Sequence, residues 1–189
     1  MIVACWGNGV TSLDPETGSL NWELDVFDRR PVGSPIIAEG LILASCGDGG
    51  GNNSVVAVRP GTSNGQKPQL VYKVEKSLSP YVPSMIAYDD LVFGWTDRGI
   101  VCCFEAASGE LVWKQRVGGN YSGSPVRIGD KLYCVSTDGD VLVIAAGRQF
   151  QLLAKNSLDD VSRSTPAVAG GIMYIRTGSH LFSIGGKHS

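Results

Sequence analysis

Few side chains in this sequence are placed to do chemistry, and each has a plainer use. Cys102 and Cys103 are neighbouring thiols. They sit inside the apolar run Ile100-Val101-Cys102-Cys103-Phe104-Glu105, which has the composition of a β-strand. Successive strand residues point to opposite faces, so the two thiols should diverge and be buried apart. Asp138-Gly139-Asp140 and Gly47-Asp48-Gly49-Gly50-Gly51-Asn52-Asn53 collect oxygen donors that could hold a cation loosely. Neither has the ligand spacing of an EF-hand or the Gly-Lys-Ser/Thr of a P-loop, and both read as turns. His180 and His188 are the two histidines. Neither belongs to a recognisable catalytic phrase with a serine or cysteine; they read as a strand residue and a tail residue. No catalytic, metal-binding or cofactor-binding residue is assigned.

Binding residues are easier to nominate. Arg and Tyr, types enriched at interface hot spots, occur in four short segments: Asp28-Arg29-Arg30-Pro31, Leu78-Ser79-Pro80-Tyr81, Gly119-Asn120-Tyr121-Ser122 and Asp159-Asp160-Val161-Ser162-Arg163. Arg29, Arg30, Tyr81, Tyr121 and Arg163 form the candidate interaction face. The plain alternative is a set of solvated connections.

A repeat must position these segments. Ser34-Pro35, Pro83-Ser84, Ser124-Pro125 and Thr165-Pro166 recur at intervals of 49, 41 and 41, taken on the second residue of each pair. Each is followed by short apolar runs and an Asp/Gly turn: Gly47-Asp48-Gly49, Thr96-Asp97-Arg98-Gly99, Thr137-Asp138-Gly139. A truncated first copy shows Gly7-Asn8-Gly9, and the last shows Thr177-Gly178-Ser179. An aromatic position reads Trp22, Tyr72, Trp113 and then Leu153. Asp14, Gly18 and Trp22 are spaced by four and four, as are Glu105, Gly109 and Trp113. The carboxylate suits the turn's amides, the glycine a positive φ, and the indole a wedge between adjacent sheets. The second copy is eight residues longer, with the surplus in Gly49–Asn53 and Pro60–Gly65, where turns absorb it without shifting strand register.

A period in the forties without helical periodicity defines a β-propeller. The chain is read as all-β, with four-stranded antiparallel blades in an incomplete propeller of about four to five blades. One region spans residues 1–189, with blades at 1–33 (partial), 34–82, 83–123, 124–164 and 165–189 (partial). Counting strands gives eighteen, which four does not divide. The expectation is therefore the C-terminal part of a longer propeller. Its partners would be the missing N-terminal blades or a separate protein; a strand-exchanged homodimer is the other way to cover open edges.

The phrases Ser12-Leu13-Asp14-Pro15-Glu16-Thr17-Gly18-Ser19-Leu20-Asn21-Trp22 and Cys103-Phe104-Glu105-Ala106-Ala107-Ser108-Gly109-Glu110-Leu111-Val112-Trp113 resemble the tryptophan-docking phrase of the PQQ-like repeat. That repeat builds bacterial quinoprotein dehydrogenases and outer-membrane assembly lipoproteins of the BamB kind. The resemblance extends over nearly the whole chain and implies a propeller scaffold in an extracytoplasmic setting, periplasmic or secreted. In the quinoprotein alcohol dehydrogenases, adjacent cysteines form a disulfide over the quinone. The resemblance therefore carries, as an alternative, a fragment of a PQQ- and Ca²⁺-dependent dehydrogenase. A third reading is the sensory propeller of a larger protein. The second and fourth copies depart from the docking phrase, with Arg59 and Tyr72 in one and Ala145 and Leu153 in the other.

Composition agrees. Charged residues make up 18% of the chain and the net charge is −2, so there is no basic stripe for nucleic acid. No apolar run has membrane-spanning length, and Met1–Trp6 lacks the basic start and length of a signal peptide. The five cysteines are odd in number, with no Cys-x-x-Cys. Free thiols favour a reducing compartment, which stands against the extracytoplasmic setting that the resemblance implies.

Overall fold

The structure, a computed structural model, describes residues 1–5, 7, 9–48, 50–61, 66–75 and 78–185. The turn residues Asn8 and Gly49, most of the Pro60–Gly65 insertion, and His188 lie outside the described residues. What is described is β-structure without α-helix. β1 (Ile2–Cys5), β2 (Gly9–Leu13) and β3 (Leu20–Leu24) form a first sheet. The second contains β4 (Arg30–Pro31), β5 (Ile36–Ala38), β6 (Leu41–Gly47), β7 (Ser54–Arg59) and β8 (Gln69–Glu75). The third contains β9 (Ile86–Tyr88), β10 (Leu91–Trp95), β11 (Ile100–Glu105) and β12 (Leu111–Arg116). The fourth contains β13 (Val126–Ile128), β14 (Lys131–Val135), β15 (Asp140–Ala145) and β16 (Leu152–Ser157). β17 (Ala167–Ala169), β18 (Ile172–Arg176) and β19 (Leu181–Gly185) form the last. Every pairing is antiparallel between sequence neighbours, except that the two-residue β4 pairs with the far end of β6. This fragment joins the second sheet upstream of residue 34, so the strand that opens that sheet is interrupted by Val32–Pro35.

There is no single core. Four apolar clusters lie between successive sheets, and strand alternation sorts residues into them. Leu41, Leu43, Val55 and Ala57 meet Val92, Cys102 and Phe104 between the second and third sheets. Their strand neighbours Ile42, Ala44, Val56 and Val58 face the first sheet and meet Val10 and Phe27. Phe93, Trp95, Val101 and Cys103 meet Leu132, Cys134, Leu142 and Ile144 between the third and fourth. Val135 and Val141 meet Met173 and Ile175 between the fourth and last. Middle strands covered on both faces explain the nearly continuous apolar runs in the sequence. The apolar clusters are each shared by adjacent sheets, the arrangement of a repeat protein.

The proline steps acquire a physical reason here. The backbone N–H of Ser34 donates to Ser84 Oγ at 2.9 Å, that of Ser84 to Ser124 Oγ at 3.0 Å, and that of Ser124 to Thr165 Oγ1 at 2.9 Å. A hydroxyl at the mouth of each sheet's first strand thus latches the sheet before it. The repeated element is the hydroxyl, at 34, 84, 124 and 165, rather than the second residue of each pair. Pro83-Ser84 keeps its hydroxyl in place while the proline changes sides.

Candidate interaction face

The docking phrase settles into two kinds of contact. Trp22, Tyr72 and Trp113 share one register position, opposite Ser12, Ala57 and Cys103, each just after a one-residue irregularity in the pairing. Each reaches the connection between the last two strands of the following sheet. Trp113 Nε1 donates to the carbonyl of Gly147 at 2.9 Å, and its ring meets Phe150 at 5.5 Å. Tyr72 donates its hydroxyl to the carbonyl of Ala106 at 2.6 Å, and its ring covers Gly109, where a Cβ would stand 2.6 Å away. Trp22 lies against Gly61 in the same way. Asp14 accepts the N–H groups of Glu16 and Thr17 at 2.9 and 2.8 Å, which holds its carboxyl below the usual range. Glu105 does something else: it takes Arg148 of the next sheet at 2.6 Å, and Arg148 also pairs with Asp90.

Two sequence alignments are corrected by the register. In the fourth sheet Ala154, opposite Val143, holds the aromatic position, and Leu153 is the irregular residue before it. The turn from Ala145 is one residue longer, since Ala145 N–H donates to Gln151 whereas Glu105 N–H donates to Glu110. In the Asp/Gly turns, Gly99 N–H donates to the Thr96 carbonyl and Gly139 N–H to that of Ser136. Asp97 therefore corresponds to Thr137, and Arg98 to Asp138.

Cys102 and Cys103 diverge. Cys102 points into the second–third interface and donates to the Leu78 carbonyl at 2.8 Å, while Cys103 lies in the third–fourth interface. Both are free and fully buried, and burial pushes each thiol up to about 12. His180 stands in the turn before β19 and not in a strand. Ser179 Oγ donates to Asp160 Oδ2 at 2.7 Å and lies 2.8 Å from His180 Nδ1, and the same Nδ1 is 3.5 Å from Asp160. A triad needs the carboxylate and the nucleophile on opposite imidazole nitrogens; here both use one. The Ser179 hydroxyl and N–H hold the Asp160 carboxyl well below the usual range, and the group is a clasp between a connection and a turn.

The connections run along one face, bonded to the Asp/Gly turns. Tyr121 N–H donates to the Asp97 carbonyl, Thr137 N–H to that of Asn120, and Ser162 N–H to that of Thr137. Arg29 pairs with Asp48 at 3.3 Å. Arg30 Nε donates to the Tyr81 hydroxyl at 3.0 Å, and its guanidinium lies 5.7 Å from the ring centre. The N–H groups of Tyr81 and Val82 donate to the Asp97 carboxylate at 3.0 and 3.1 Å. Arg29, Arg30 and Tyr81 thus gather at the second–third junction. Tyr121 does not belong to the exposed face: it is 3% exposed and packs on Trp95 at 5.5 Å. Arg163 is exposed and lies apart, on a cavity of about 280 Å³ with Ser164 and Arg176. A larger cavity, of about 440 Å³, opens between the Asp48 turn, Tyr81 and the Asp97 turn. Sequence reasoning passed over Arg98 and Arg116, which line it. The available signal was that neither obeys the repeat.

The fold and face define a β-propeller of quinoprotein-like blades. The profile of the family described as outer membrane protein assembly factor BamB matches residues 71–187, and the chain belongs to that family. Among solved structures, BamB from Moraxella catarrhalis superposes with a TM-score of 0.75 at 17% identity, covering 97% of this chain and 54% of that one. The computationally designed Ika8 protein gives 0.74 at 13% identity, over 97% and 55%. A europium-containing methanol dehydrogenase gives 0.58 at 14% identity, over 72% and 26%. The chain spans about half the length of the first two. Comparison with curated protein sequences found no match.

Proposed function

We propose that this chain is a non-catalytic propeller scaffold whose connection face receives a protein or cell-envelope partner outside the cytoplasm. The observation that carries this reading is that both cavities, of about 440 and 280 Å³, open among the interblade connections and Asp/Gly turns. The family's description as an outer-membrane assembly factor supports the choice of a protein partner and an envelope setting. The four described thiols, Cys46, Cys102, Cys103 and Cys134, are free and buried, which is compatible with an oxidising compartment because a thiol without solvent access does not reach an oxidant.

The adjacent thiols face different interfaces, which speaks against the disulfide that the quinone reading would place over its cofactor. The chain is read as working by binding alone.

A photo-crosslinking amino acid placed at Arg29, Arg98 or Arg163, against one at Glu16, Ser108 or Gln149 on the opposite turns, tests the face. Crosslinks to a partner in cells are expected at the first set. Crosslinks confined to the second set would refute the reading. Incubation with PQQ and Ca²⁺ should leave no bound visible absorbance band.

A further inference from the structure

We propose that the cavity between the second and third sheets docks an acidic peptide segment of a protein partner. This rests on the interaction reading above and names the partner's chemistry.

The cavity's volume of about 440 Å³ lies in the range of ligand sites, roughly 300–1,000 Å³. Asp48, Asn53, Tyr81, Asp97, Arg98 and Arg116 are among its lining residues. The two carboxylates are already engaged. Asp48 accepts Arg29, the N–H groups of Gly50 and Asn52, and the Asn52 amide. Asp97 accepts two backbone N–H groups. The two arginines are not. Arg116 makes a single long bond, 3.5 Å, to the Arg98 carbonyl, and neither guanidinium has an ion pair among the described residues. Two committed anions therefore face two uncommitted cations, with Arg29 and Arg30 adding positive charge behind Asp48 and Tyr81. The groups that complement this lining are carboxylates, which a guanidinium binds in bidentate fashion.

The repeat gives an independent argument. Arg98 stands where the fourth sheet has Asp138. Arg116, paired with Ile100, stands where the fourth sheet has Ser157, paired with Asp140, and where the second has Glu75, paired with Ser54. The backbone turn bond and the strand pairing are the same in both sheets, so blade geometry does not call for either arginine. The remaining wall is the lengthened Asp48–Asn53 turn, one of the two places where the second copy exceeds the others. The repeat is thus broken on three sides of one cavity. The Arg30–Tyr81 and Asp97–Tyr81 bonds hold the Tyr81 side of the cavity in advance, which lowers part of the ordering cost of binding.

Fluorescence anisotropy with a labelled octapeptide alternating Glu and Leu, against its Gln/Leu counterpart, tests the proposal. The Glu peptide should bind more tightly, with affinity falling as salt rises. R98Q/R116Q should weaken it roughly tenfold, several-fold for each exposed charge pair, with an unchanged melting temperature; R163Q should leave it intact. Excess sodium acetate should compete poorly, since a free carboxylate lacks the rest of the segment. Equal binding of both peptides, or equal loss in R163Q, would overturn the proposal, as would indifference to the double substitution. If the peptide fails while crosslinks still map to the connection face, only the partner's acidity is wrong. If the crosslinks also move to the opposite turns, the interaction reading falls with it.

Discussion

At the scale of the residue, one docking position is filled by three chemistries. Trp113 supplies an N–H to Gly147, Tyr72 an O–H to Ala106, and Ala154 nothing. Replacing Tyr72 with Phe removes a hydrogen bond and keeps the ring, so Y72F should cost about 1 kcal/mol in denaturant unfolding. G109A should cost more. Gly109 has φ +75° and lies under the Tyr72 ring, so a methyl meets both the left-handed penalty of about 1–2 kcal/mol and an aromatic ring with little room to retreat. If G109A proves milder than Y72F, the ring does not rest on that glycine. The same scale explains the thiols. Cys46, Cys102, Cys103 and Cys134 are all free and buried, and mass-mapped alkylation should label none of them in the folded chain and all four in denaturant.

Elements are held together by fewer types of contact than the sequence suggests. Three equivalent N–H to hydroxyl bonds join the first strands of adjacent sheets. S124A leaves the Ser84 N–H without its acceptor and should lower stability by about 0.5–1.5 kcal/mol, while S124T restores the hydroxyl and most of the loss. Equal destabilisation by both would mean that packing, and not the latch, is what Ser124 provides. Strand order within a blade was legible because backbone pairing and interface burial impose it on every copy, and the docking phrase was legible in the copies that carry Trp22 and Trp113. Leu153 was misassigned because an added residue within a turn leaves composition unchanged; only the pairing of Val143 with Ala154 reveals it. The one-residue offset between Asp97 and Asp138 was hidden differently: the two turns are equally long, and a Thr-Asp pair in each invites the wrong alignment. Arg98 and Arg116 were overlooked since a search for repetition sets aside what does not repeat. Tyr121 was placed on the surface by its connection, whereas its ring turns inward onto Trp95.

The whole molecule is a row of interfaces, and its ionisable groups are distributed unevenly along that row. Cys102 and Tyr72 belong to the second–third interface, Cys103 and Tyr121 to the third–fourth. Burial raises Cys102, Cys103 and Tyr72 to about 12, from ordinary values of 9.0 and 10.0, and raises Tyr121 as well. As pH climbs past 9, the unfolded chain releases protons that the folded chain retains. Each group therefore contributes stability that is complete below its ordinary value and is lost as pH rises toward the folded one. The denaturant midpoint should be flat from neutrality to about pH 9 and decline above it. Because each apolar cluster is shared by adjacent sheets, the loss should be local: hydrogen-exchange protection should fall first in β7, β8, β10, β11, β14 and β15, and last in β2 and β18. C102V, which removes one of the raised thiols, should soften the decline at the second–third interface and leave the third–fourth unchanged. A decline that begins instead at the outer sheets, or one that C102V does not alter, would mean that alkaline unfolding is driven from outside these two interfaces.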